Sequence, residues 1–66
     1  MKEIISKKLK ELRKQSGLKQ KDVAFQNAIG YEAYKNYERE LATPPLETLV
    51  RLAAFYRVTI DEIIKE

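Results

Sequence analysis

Apolar residues recur at helical spacing along most of this chain. Ile5, Leu9 and Leu12 stand at i, i+4 and i+7, which predicts an amphipathic helix over Ser6 to Ser16. Ser6 is its candidate N-cap, and Ile4 and Ile5 allow it to extend toward the terminus. Gly17 ends it, since glycine takes the left-handed cap conformation without penalty. Leu18 then points inward, and Lys19 occupies the cap position of a second helix over Gln20 to Asn27, with Val23 and Ala24 facing in. Asn27-Ala28-Ile29-Gly30 reads as a turn in which Asn27 and Gly30 tolerate unusual dihedrals.

A third helix follows over Tyr31 to Arg39, with Gly30 as its N-cap and Ala33, Tyr34 and Tyr37 facing in. Tyr31, Glu32, Lys35 and Asn36 fall off that side and stay free. Pro44 and Pro45 close the next loop and pre-set a fourth helix over Leu46 to Tyr56. Its inward stripe is Leu46, Leu49, Leu52, Ala53 and Tyr56. Thr59 and Glu62 form a capping box that opens a fifth helix, whose apolar face is Ile60, Ile63 and Ile64. The reading is an all-α bundle of five helices in one domain, residues 1–66.

Composition narrows what such a bundle can do. The 66 residues include no cysteine and no histidine, so disulfides and the usual zinc sites are excluded. Regular helix packing, helped by dimerisation, is then the expected source of stability. No glycine-rich phosphate loop is present, Asp61 and Glu62 are explained by the helix cap, and no other carboxylates converge. We therefore expect no catalytic residue, no metal and no cofactor, and thus no enzyme. The most apolar run, Leu46 to Tyr56, is interrupted by Glu47 and Arg51 and falls short of the roughly 20 apolar residues of a membrane span. With no signal peptide in view, a soluble, cytoplasmic protein is expected.

The net charge of +3 is unevenly spread, because residues 1–20 hold seven lysines and arginines against two glutamates. A basic first helix suits a polyanionic partner, and equally a solvated surface.

The string LKELRKQSGLKQKDVA, then YKNYE, then PPLETLVRLAAFYRVTIDEII resembles the Cro/repressor-type (Xre) helix-turn-helix family. The likeness covers Ser6 to Ile64 without a gap. It rests on Arg13 followed seven residues later by Gln20, then Ala24, Glu38, and Pro44 ahead of Leu46-Glu47-Thr48-Leu49. The resemblance implies a lambda-repressor-like bundle whose third helix enters the DNA major groove. It implies a sequence-specific regulator of double-stranded DNA, a repressor, acting as a homodimer on a palindrome with half-sites about one turn (~34 Å) apart.

Carried over by position, Tyr31, Glu32, Lys35 and Asn36 would face the bases. Lys can donate to guanine and Asn can pair with adenine. Gln20 matches the family's phosphate-binding glutamine, with Lys19, Arg39 and Thr43 as further phosphate contacts. Arg13 and Glu38 match an ion pair tying the first helix to the end of the third. Tyr34, Tyr37 and Tyr56 are assigned to packing. Phe55, off the main stripe of the fourth helix, is expected to form an exposed apolar patch with Ile60 and Ile64 that serves as the dimer contact.

The chain also departs from the family. Alanine stands at position 28 where a glycine of positive φ is usual, so the turn either carries strain of about 1 kcal/mol or is re-routed through Asn27. Glu40 replaces the glycine after the third helix, where a carboxylate opposes the helix dipole and repels phosphate. Leu41-Ala42-Thr43 lacks the usual basic residue, so weaker non-specific affinity is expected. These departures motivate an alternative: an antitoxin, with a toxin as protein partner, or another interaction module with weak or lost DNA binding.

Overall fold

A computed structural model describes residues 1–65. It contains helices α1 (Lys2–Ser16), α2 (Gln20–Gln26), α3 (Tyr31–Glu38), α4 (Leu46–Tyr56) and α5 (Ile60–Ile64), with no strand among the described residues. Ile5, Leu9, Val23, Ala24, Tyr34, Tyr37, Leu49, Leu52, Ala53 and Ile63 make one core, drawn from every helix. Among the described residues no helix is long and apolar enough to cross a membrane.

Ser6 is not an N-cap. The helix starts four residues earlier, with Met1 at the cap, Glu3 in the first turn and the Ile5 N–H bonded to the Met1 carbonyl. A first-turn glutamate favours that start by complementing the helix dipole. Ser6 is instead buried, and its Oγ donates to the Glu38 carbonyl at 2.8 Å. Leu46 also departs from the expected stripe: it is exposed, while Thr48, Leu49, Leu52 and Ala53 form the buried face of α4. It sits at the first position of the helix, directly after Pro45, beyond the reach of the core.

Four helices end in the same way. Gly17, Ala28, Glu40 and Arg57 have φ of 72°, 55°, 66° and 59°. After each, an apolar residue turns its N–H back to a carbonyl five residues earlier: Leu18 to Arg13, Ile29 to Ala24, Leu41 to Asn36 and Val58 to Ala53. This is the Schellman stop, in which a left-handed residue lets the chain reverse and satisfies a terminal carbonyl.

At only one of the four left-handed positions is the residue glycine. The helix-turn-helix corner therefore passes through Ala28 itself. Asn27 keeps an ordinary φ of −111° and Gly30 one of −59°, so neither residue takes the unusual dihedral expected of it, and the corner is not re-routed. Asn27 contributes differently: its Nδ2 donates to the Val23 carbonyl at 2.9 Å, inside the bundle.

Left-handed backbone is unfavourable for a residue with a Cβ. Ala28→Gly is therefore expected to stabilise the fold by about 1 kcal/mol, raising the melting temperature by roughly 4–8 °C. Thermal unfolding followed by circular dichroism checks it, and a lower melting temperature would show that Ala28 carries no strain.

Candidate nucleic-acid interface

The geometry of α2 and α3 begins with Glu38, whose side chain is 2% exposed. Arg13 grips it with two parallel bonds, Nε to Oε2 at 2.8 Å and Nη2 to Oε1 at 2.9 Å. This fork is the geometry in which an arginine–carboxylate pair is strongest. Arg13 Nη1 also donates to the Leu18 carbonyl at 3.2 Å, so one guanidinium joins α1, the α1–α2 turn and α3. Burial alone would push the Glu38 carboxyl up. The Arg13 bonds, with the nearby Tyr34 hydroxyl and the Gln20 amide, outweigh burial and hold it below the usual carboxylate range. Its bond to Glu38 likewise raises the Arg13 guanidinium, against a smaller opposing effect of burial.

Gln20 is the first residue of α2, and its Nε2 donates to Glu38 Oε1 at 3.1 Å. A primary amide carries two N–H groups. One is committed to Glu38, which fixes the side chain, and the other has no hydrogen-bond partner among the described residues. Lys19, just before α2, turns its backbone N–H to Asp22 Oδ2 at 3.3 Å. A lysine side chain offers no acceptor, so this one bond and the Lys19 carbonyl constitute the cap. Lys19, Arg39 and Thr43 are all exposed. Asp22 and Ser6 are the residues of this scaffold that the sequence reading missed. Ser6 stands three residues before Leu9, on the same helical face, and that spacing was the available signal.

On α3 the four free-face residues fall into two groups. Tyr31 and Glu32 are exposed, while Lys35 and Asn36 are half-buried. Lys35 is not an idle cation: its Nζ lies 2.8 Å from Glu32 Oε2 and 4.4 Å from the centre of the Tyr31 ring. The hydrogen bond to Lys35 lowers the Glu32 carboxyl. Three of the candidate base readers thus form one clasp at the start of α3. Any guanine that takes the Lys35 ammonium must compete with a carboxylate and an aromatic face.

Glu40, past the end of α3, shares a groove with Lys7, Lys10 and Lys14 of α1. Glu3 and Glu11 line the same groove, and none of the lysines forms an ion pair with Glu40 among the described residues. Phe55, Ile60 and Ile64 are half-buried and packed against the core. They do not form the exposed patch expected of them, because α5 folds back to bury Ile63 and carries its neighbours inward. Among the described residues, no cluster of acidic side chains could hold a metal ion.

A family model described as helix-turn-helix matches residues 9–63. The chain belongs to this helix-turn-helix family, of the Xre or Cro/repressor type. The cryptic phage CTXphi transcriptional repressor RstR of Vibrio cholerae is 36% identical over 63 residues, covering 96% of this chain and 57% of that protein. The HTH-type transcriptional regulator ImmR of Bacillus subtilis is 37% identical over 60 residues, covering 91% of this chain and 47% of its own. The HTH-type transcriptional regulator DdrOP3 of Deinococcus deserti is 34% identical over 61 residues, 92% of this chain and 47% of its own. The helix-turn-helix chain therefore spans about half the length of the curated relatives it matches. No solved structure matches it significantly. Within this family, α2 and α3 are the helix-turn-helix pair, and α3 is the helix expected to enter the groove.

Proposed function

We propose that this chain binds double-stranded DNA sequence-specifically and regulates transcription, as a repressor, from the cytoplasm. The observation that carries the reading is the buried Arg13–Glu38–Gln20 network. It fixes the start of α2 against the end of α3, with Tyr31 and Glu32 exposed and Lys35 and Asn36 half-buried beside them. The matched relatives support the reading, one named a transcriptional repressor and two named HTH-type transcriptional regulators, within a family of non-enzymatic regulators. Lys35 and Asn36, with Tyr31 and Glu32 beside them, would read base edges. Gln20, Lys19, Arg39 and Thr43 would hold phosphates, and two copies would meet a palindrome.

Selection from a random duplex pool, followed by fluorescence anisotropy of the winner across a salt series, tests this. Affinity should fall steeply with salt as phosphate contacts release counterions. Lys35→Ala should relax the preference at one base position, at roughly 1–3 kcal/mol. Gln20→Ala should weaken all duplexes about equally. A flat salt response, or one affinity for every duplex, would refute the reading.

A second reading, an antitoxin or another protein-interaction module, has Phe25 in its favour. This aromatic on α2 lines a groove with Lys21, Asp22, Ile29 and Tyr31, beside the start of α3. A toxin or other protein that co-purifies, together with no DNA shift at low salt, would select it.

A further inference from the structure

On the free face of α3 an ammonium and a carboxylate stand side by side. Lys35 Nζ lies 2.8 Å from Glu32 Oε2 and 4.4 Å from the centre of the Tyr31 ring. The Lys35 side chain is 18% exposed and that of Glu32 is 78% exposed, so the carboxylate is the outer member of the pair. An ammonium carries three N–H donors, and a carboxylate has about four lone-pair sites. One bond between them therefore leaves a donor and an acceptor free, next to each other.

A carboxylate that enters a groove alone is repelled by the phosphates on both sides. Handing Lys35 to a base by breaking the pair would leave Glu32 in that position. It would also take the ammonium off the Tyr31 face. Kept together, the two charges cancel and enter the groove as a neutral donor–acceptor unit. Each base pair shows the complementary arrangement on its major-groove edge, an acceptor beside a donor. In G·C the guanine O6 accepts and the cytosine amino group donates. In T·A the thymine O4 accepts and the adenine amino group donates. Reversing either pair exchanges the two, so that donor meets donor and acceptor meets acceptor.

We propose that Glu32 and Lys35 read one base pair together, by the polarity of its keto and amino groups, with Lys35 on the keto oxygen and Glu32 on the amino group. This rests on the DNA-binding reading and deepens it, since it states what the target must offer at one position. The requirement there is a keto base on one strand and an amino base on the other, not guanine as such. Guanine N7 gives Lys35 a second acceptor, so G·C is the better of the two permitted pairs. The amino group must present its groove-facing N–H to Glu32. A methyl group on that nitrogen takes the place of this N–H and blocks recognition.

The duplex chosen by selection supplies the test, at the position whose preference relaxes on Lys35→Ala. Fluorescence anisotropy should show the reversed pair binding about tenfold or more weaker. An exchange that keeps the keto base on its strand, G·C for T·A or the converse, should cost less than that reversal. If Lys35→Ala relaxes no position, or if the exchange costs as much as the reversal, the proposal is wrong.

A second comparison replaces the amino base of that pair by N4-methylcytosine or N6-methyladenine. The parent chain should lose about tenfold in affinity, whereas Glu32→Ala, altered at an exposed position, should bind the methylated and unmethylated duplexes within about twofold of each other. Equal losses in the parent and in Glu32→Ala, or no loss in the parent, would overturn the proposal and leave the DNA-binding reading standing. A parent chain that prefers no duplex would overturn both.

Discussion

Glu38→Ala is expected to destabilise the domain by about 3–5 kcal/mol, the cost of leaving one member of a buried ion pair without its partner. Arg13 would keep its charge at 16% side-chain exposure with both forked bonds gone, and Gln20 would lose the acceptor that orients it. For a domain of this size each kcal/mol shifts the midpoint by roughly 4–8 °C. Thermal melts at neutral pH should therefore drop by tens of degrees. A double change, Arg13→Met with Glu38→Leu, should recover much of the loss, because a buried ion pair is often replaceable by apolar packing. Equal destabilisation by the single and double changes would mean that packing, not an orphaned charge, sets the cost.

The same pair gives the pH dependence its sign. The Glu38 carboxyl is held lower in the folded chain than its ordinary value, which is about 4.3 when unfolded. Its contribution is therefore complete above that unfolded value and is lost as pH falls through the lower, folded one. The parent should lose stability steeply in that acid window, and Glu38→Gln should show a shallower decline. A parallel decline in both would assign the acid lability to other carboxylates.

Tyr34→Ala is expected to cost a similar amount, about 3–5 kcal/mol, as a fully buried aromatic is removed and a cavity left. Tyr34 is inaccessible to solvent and packs edge-to-face on Tyr37, with ring centres 6.4 Å apart. It is the bolt that fastens α3 to the bundle. Tyr34→Phe separates ring from hydroxyl. Burial raises the Tyr34 hydroxyl, so it stays protonated, and it reaches hydrogen-bond geometry with no partner among the described residues. Removing it should therefore change stability by less than about 1 kcal/mol. Denaturant unfolding of the two variants measures both effects, and a large loss on Tyr34→Phe would show that the hydroxyl's nearness to the Glu38 carboxylate is worth more than its missing hydrogen-bond geometry implies.

Much of the fold was legible because helix period and capping are local. Leu46 to Tyr56 was bounded by a proline pair on one side, and Thr59 with Glu62 marked the start of α5 by side chains three residues apart. Arg13 and Glu38 were readable as a pair only through the family pattern, since they lie 25 positions apart. The failures share a cause too. Ser6, with its partner in α3, and Leu46, exposed at the edge of the core, depend on where other helices end up. Ala28, Glu40 and Arg57 adopt a backbone that their residue types disfavour, so composition argues against the conformation the chain takes. The candidate interface was legible as a face, but the clasp of Tyr31, Glu32 and Lys35 was not. It follows from rotamers at i, i+3 spacing that compete with other arrangements.

The repeated Schellman stop bears on how quickly the molecule can assemble. Each stop closes on a carbonyl five residues back, so it can form within a local segment of chain, before any helix finds its neighbour. Chains dominated by such short-range closures search few conformations and fold in microseconds to milliseconds. A helix-turn-helix domain built this way would be folded almost as soon as residues 60–64 have left the ribosome.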